Sequence, residues 1–146
     1  MPKIRQIETT DFDQWHTLWT AYLAFYETTV PEAVYRSTFA RLTAADRPSQ
    51  QALVAEQDGQ LVGLVHFIYH PHNWKIEDVC YLQDLYVAES CQGSGIGRAL
   101  IEAVYAGADE AGCPSVFWIT QEFNTKARHL YDNIATLDSF VRYSRK

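Results

Sequence analysis

YLQDLYVAESCQGSGIGRALIEAVYAGADEAG, residues 81–112, is the stretch whose reading decides the fold. Its opening residues, with Asp78, Val79 and Cys80 before them, are rich in β-branched and aromatic side chains and predict a central strand over 78–87. Gly93, Gly95 and Gly97 follow within five positions. From there Ile96, Leu100, Val104 and Ala108 recur every four residues, which predicts a helix ending near Gly112. A strand that feeds a glycine loop into a helix N-terminus gathers unpaired backbone N–H groups at the positive end of the helix dipole. A phosphate or pyrophosphate fits such a place, and a Cβ there would hold its oxygens off the amides.

Working outward, KIRQIE (3–8) reads as a short strand, and Thr10 with Asp13 as a capping-box-like helix start. Phe12, Trp15, Trp19, Tyr22 and Tyr26 lie on one helical face, and Pro31 opens a second helix, PEAVYRSTFARL. ALVAEQ (52–57) and LVGLVHFIY (61–69) flank Asp58-Gly59, a strong hairpin signal. Beyond Gly112, SVFWIT (115–120) predicts a strand, 124–137 a helix, and SFVRYS (139–144) a closing strand. The expectation is one α/β (α+β) domain over 1–146, with a mixed, mostly antiparallel central sheet flanked by about four helices.

Composition narrows the function classes. Of 146 residues, 47% are hydrophobic and 21% charged, which is ordinary for a globular chain. The net charge of −6 argues against affinity for nucleic acid or an anionic membrane. No apolar leader or membrane-length segment is present, and the three cysteines, Cys80, Cys91 and Cys113, have no C-x-x-C spacing. A reducing cytoplasm is the expected compartment. His66, His70 and His72 lack a completing carboxylate or cysteine, so no metal is expected.

Among phosphate loops, the G-x-x-x-x-G-K-[ST] pattern is absent, and G-x-G-x-x-G fails because its third glycine falls to Arg98 or Leu100. Gln92-Gly93-Ser94-Gly95-Ile96-Gly97 meets Q/R-x-x-G-x-G in full. With YLQDLYV before it, and SVFWIT and NTKARHLY after it, the chain resembles the GNAT superfamily of acyl-CoA-dependent N-acyltransferases. The match is good over about 77–143 and extends to the branch of polyamine- and histone-type acetyltransferases.

The resemblance implies acetyl-CoA as cosubstrate. Its pantetheine arm and thioester carbonyl would lie on the backbone of Leu85, Tyr86 and Val87, and its pyrophosphate on Gln92, Gly93, Ser94, Gly95, Ile96, Gly97 and Arg98. Asn124 and Ala127 would face the pantetheine, and Tyr131 would protonate the departing thiolate. Many members carry Glu where this chain has Gln83, and glutamine accepts no proton. The adjacent Asp84 is the candidate base, although a regular strand points it to the opposite face and only a bulge would re-aim it. The acceptor is expected near residues 24–36, with Tyr26, Glu27 and Gln83 as contacts and Glu32, Tyr35 and Arg36 close by.

The reading is thus an N-acetyltransferase acting by direct attack on a primary amine: a small polyamine, an amino acid derivative or a lysine side chain. Two other classes stand beside it, a non-catalytic acyl-CoA-binding module and an NAD-dependent oxidoreductase. A homodimer paired through the C-terminal strand is expected.

Overall fold

In the computed structural model, which describes residues 1–146, five strands form one sheet in the order β1-β2-β3-β4-β5. β1 (Lys3–Gln6), β2 (Gln50–Gln57), β3 (Gln60–His70) and β4 (Val79–Val87) are antiparallel neighbours. β5 (Val116–Phe117) joins β4 in parallel, through Cys80 with Val116 and Tyr81 with Phe117 alone. Helices α1 (Phe12–Phe25) and α2 (Glu32–Thr43) intervene between β1 and β2, α3 (Ile96–Glu110) between β4 and β5, and α4 (Thr125–Ile134) follows β5. No helix is long and apolar enough to cross a membrane.

The sheet has a different core on each face. Trp15, Leu18, Trp19 and Leu23 of α1, with Tyr35, Phe39 and Leu42 of α2, pack over Ala52, Val54, Leu61 and Leu64. On the other face Ile96, Leu100, Ile101, Val104 and Ala108 of α3 pack over Ala55, Val65, Phe67, Cys80 and Leu82. Gly63 permits the close approach of α3: a Cβ there would meet Leu100 Cδ1 at 3.1 Å and the Tyr86 carbonyl at 3.2 Å. The Asp58-Gly59 hairpin turns as expected, both residues having positive φ (52° and 76°), as a two-residue turn between twisted strands requires.

Three expectations need correction. The entry to α1 is closed by Glu8 and Asp11 rather than Thr10 and Asp13, across a 3₁₀ turn at Thr9–Asp11. Asp11 is drawn inward by Arg5, which donates to both of its oxygens at 2.8 and 2.9 Å, while the Glu8 amide donates at 2.7 Å. The strand expected over 115–120 keeps two residues, because the chain leaves β4 after Phe117. The segment 139–144 forms no strand; Phe140, Val141 and Tyr143 are exposed, and no neighbouring edge supplies the hydrogen bonds a strand needs.

Candidate active site

The site begins where β4 and β5 separate. Past Tyr81 the main chain of β4 has β3 on one side and no strand on the other, so Leu82 to Val87 border an open wedge. Trp118, Ile119 and Thr120 form its opposite wall, facing Leu82, Gln83 and Leu85. Tyr22 and Tyr26 from α1 and Tyr131 from α4 complete the lining. This edge of β4 pairs with no strand beyond Tyr81, so an extended chain can lie along Leu85 to Val87 as an added strand.

The wedge leads to the glycine loop. Gly93 and Gly95 have φ of 82° and 87°, a region in which side chains with a Cβ are strained. Gly95 is the N-cap of α3 and contributes no side chain, so the first amides of the helix face outward uncapped. Gln92 braces the loop by donating to the Val87 carbonyl at 3.0 Å, and Ser94 Oγ donates to the Cys91 carbonyl. Lys126, at the start of α4, donates to Gln92 Oε1 at 3.2 Å and adds a positive charge beside those amides. Ile96 is buried against the sheet, whereas Gly97 and Arg98 begin the helix nearer the surface. The loop and helix start can hold a pyrophosphate through backbone donors.

A bulge settles where Asp84 points. His66 pairs with Asp84 and the next residue, Phe67, pairs with Leu82, leaving Gln83 as an extra residue in β4. Cys80 and Leu82 face α3, and strict alternation would have sent Asp84 there too. The extra residue reverses the phase. Leu85 joins the α3 face while Tyr86 packs on the α1 side, and Asp84 meets His66, whose ring lies against Trp15 and Trp19 of α1. Gln83 itself is exposed and lines the wedge.

Asp84 Oδ2 lies 2.8 Å from His66 Nδ1, and the Trp15 indole N–H donates to His66 Nε2 at 3.0 Å. Tyr22 approaches the same carboxylate from the pocket side. Its burial first, then the negative charge of Asp84, hold the phenol protonated well above its ordinary range. Burial, with Tyr26 adding to it, pushes the Tyr131 phenol up to about 12. Tyr131 also meets Trp118 edge-on at 5.3 Å. Asn124 is the N-cap residue of α4 and donates to Thr120 Oγ1 at 3.3 Å, while Ala127 lies one turn before Tyr131.

Tyr26, Gln83, Leu85 and Tyr131 are thus brought together, with Asp84 immediately behind Tyr22. Glu27 is not part of the lining; it is exposed, in a turn with φ 56°. Glu32, Tyr35 and Arg36 are engaged in helix packing. Glu32 pairs with His16 at 2.9 Å and with Arg36 at 3.8 Å, and the buried Tyr35 hydroxyl lies 2.6 Å from Thr20 Oγ1. His70 and His72 contact local backbone groups, Pro71 O and Trp74 N. Sequence reasoning did not place Tyr22, His66 and Trp15 beside Asp84. Two signals were present: Tyr22 and Tyr26 at helical spacing, and one histidine in the apolar run LVGLVHFIY.

A splayed sheet, a glycine-capped helix beside the opening, and a carboxylate and phenols at its inner end define an acyl-CoA-dependent N-acyltransferase. The chain belongs to the acetyltransferase (GNAT) family, whose model matches residues 12–134. It is 38% identical over 143 residues to the D-amino-acid N-acetyltransferase HPA3 of Saccharomyces cerevisiae, covering 97% of this chain and 89% of that one. The thialysine N-epsilon-acetyltransferase of Mus musculus is 36% identical over 86 residues, 57% of this chain and 49% of the relative. Among solved structures, the aminoglycoside N-acetyltransferase AAC(6')-Iy in complex with CoA superposes with a TM-score of 0.85 at 21% identity, over 100% of this chain and 95% of that one. The protein is an acetyl-CoA-dependent N-acetyltransferase.

Proposed function

We propose that the protein acetylates a small primary amine of the amino-acid type, with Asp84 as general base and Tyr131 as general acid. The bulge at Gln83 carries this reading, since it turns Asp84 toward Tyr22 at the pocket that also holds Tyr131. The acetyl thioester would lie along Leu85 to Val87, where main-chain N–H groups oppose the charge that grows on its carbonyl oxygen. Gln92 to Arg98 would hold the pyrophosphate, and Asn124 and Ala127 would border the pantetheine.

The acceptor arrives as an ammonium and must become an amine before it attacks. One proton goes to Asp84. The nitrogen then bonds to the carbonyl carbon as the C–S bond breaks, and Tyr131 donates its proton to the sulfur. The second proton lost by nitrogen replaces the one Tyr131 gave, and Asp84 releases the first to solvent. The raised value of Tyr131 suits this task, because the phenol stays protonated at neutral pH.

The amino-acid acceptor class is supported by the yeast relative, named for D-amino acids, and by the mammalian one, named for thialysine. The pocket walls carry no lysine or arginine, so the amine enters and any acceptor carboxylate stays at the mouth. Free-thiol release from acetyl-CoA with D- and L-amino acids, thialysine and spermidine tests the reading. Turnover is expected first with the amino acids. Binding of acetyl-CoA without turnover on any amine would leave the non-catalytic module instead.

A further inference from the structure

The base proposed above does not stand alone, and what surrounds it is unusual for a sheet core. We propose that Asp84 is the middle of an ordered array, Tyr22–Asp84–His66–Trp15, which carries one proton out of the pocket and stops it at the carboxylate. The inference rests on the reading of Asp84 as base and adds a route to it and a clamp behind it.

The clamp follows from hydrogen-bond polarity. An indole N–H only donates, so His66 Nε2 must accept from Trp15 and carries no hydrogen. A neutral imidazole has one N–H, which therefore sits on Nδ1 and points at Asp84 Oδ2. Trp15 is fully buried and His66 nearly so, which leaves neither ring room to turn. Burial also makes loss of either bond costly, because an unpaired polar group would remain in the core. His66 is thus a permanent donor to Asp84. It has no free nitrogen with which to take the proton further.

The route follows from the pocket lining. Tyr22 borders the pocket, whereas Asp84 and His66 do not. Tyr22 stands between the pocket and Asp84, and its protonated hydroxyl can accept from the pocket while it gives its own proton to the carboxylate. As the ammonium gives a proton to the Tyr22 oxygen, the phenolic proton passes to Asp84. Nitrogen loses one proton, Asp84 gains one, and Tyr22 ends as it began. Tyr22 is then a catalytic residue, and His66 and Trp15 are positioning residues.

Two measurements test the array. Long-range ¹H–¹⁵N correlation of histidine-labelled wild-type protein reads the His66 tautomer without any substitution. The expected signature is a protonated Nδ1 and a bare Nε2; a protonated Nε2 at neutral pH overturns the clamp. Steady-state kinetics supply the second. Tyr22→Phe and His66→Phe should each lower kcat by about 10- to 100-fold, with the acetyl-CoA KM within about twofold. His66→Asn, whose carboxamide can offer an N–H near the place of Nδ1, should recover about tenfold over His66→Phe.

Equal loss in the Phe and Asn variants, or none in either, overturns the positioning role. Asp84→Asn separates the two ideas. If it is inactive while Tyr22→Phe and His66→Phe turn over normally, the base reading survives and the array falls. If Asp84→Asn keeps full activity, the base reading itself fails and takes the array's catalytic purpose with it, whatever the tautomer.

Discussion

The two faces of the sheet solve different problems with different chemistry. Toward α3 the buried core is mostly aliphatic, with Val65, Leu100, Ile101, Val104 and Ala108 fully buried and Phe67 its one buried aromatic. On the proposed reading that face would meet acetyl-CoA with backbone: uncapped amides after Gly95 and the open main chain of β4. Toward α1 and α2 the packing is aromatic and threaded by polar groups, among them Tyr35, Thr38, His66 and, at the edge, Asp84. A pyrophosphate and a pantetheine arm are the same for every acyl-CoA, so donors fixed by chain geometry suffice. An acceptor amine varies and must lose protons, which only side chains can manage. The contrast teaches that the proposed cofactor face would be set by conformation and the proposed acceptor face by side-chain identity.

The sharpest way to break that contrast is to change polar atoms at the pocket without changing its shape. Asp84→Asn and Tyr131→Phe are each expected to lower kcat by about 100-fold or more, measured by thiol release, with acetyl-CoA affinity nearly unchanged by calorimetry. Because Tyr131 ionises only near 12, its loss of a proton should cause no decline in kcat up to about pH 10. A shared fall in cofactor affinity would mean that the faces are not separable.

A change of conformation on the other face should do the reverse. Gly95→Ala places a Cβ at φ 87° on the helix N-cap and is expected to weaken acetyl-CoA binding about tenfold, with little change in kcat at saturating cofactor. Gly63→Ala tests the aliphatic packing itself. Contacts at 3.1 and 3.2 Å with Leu100 and a carbonyl should cost about 1–3 kcal/mol in urea unfolding, since α3 must shift.

The smallest effect concerns the hinge between β1 and α1. Arg5, by its hydrogen bonds, holds the Asp11 carboxyl below its ordinary range, although burial opposes this. The folded state therefore prefers the carboxylate, and the pair contributes stability above the unfolded carboxyl pKa of about 4. That contribution disappears as pH falls from there through the lower folded value. Asp11→Asn should destabilise the protein at pH 7 and flatten its acid loss of stability, measured as urea midpoints from pH 7 to pH 2. Sedimentation at micromolar concentration checks the expected homodimer, for which the tail offers the exposed Phe140, Val141 and Tyr143.

Much of the cofactor face could be read from local pattern. Glycines at 93 and 95 announce positive φ, and the four-residue repeat from Ile96 announces the helix they cap, because both are properties of neighbouring residues. The acceptor face resisted. Tyr35 and Glu32 look like amine ligands in a string of acids and aromatics, yet the first is buried in helix packing and the second pairs with His16. The final strand failed for a related reason: alternation in SFVRYS makes a strand possible, but pairing requires an edge within reach.

Sequence alone determined the class of this protein: its order of elements, the phosphate-type loop, and the Asn124 and Tyr131 that resemble a family's pattern. Only the tertiary structure decided where its chemistry points. Whether Asp84 faces α3 or α1 depends on one extra residue in the pairing of β4 with β3, where the partners His66 with Asp84 and Phe67 with Leu82 lie 18 and 15 positions apart. The same holds for His66, whose partners Trp15 and Asp84 lie 51 and 18 positions away. Local spacing specifies elements because backbone geometry is periodic; it cannot specify a hydrogen-bonded array assembled across a helix and two strands.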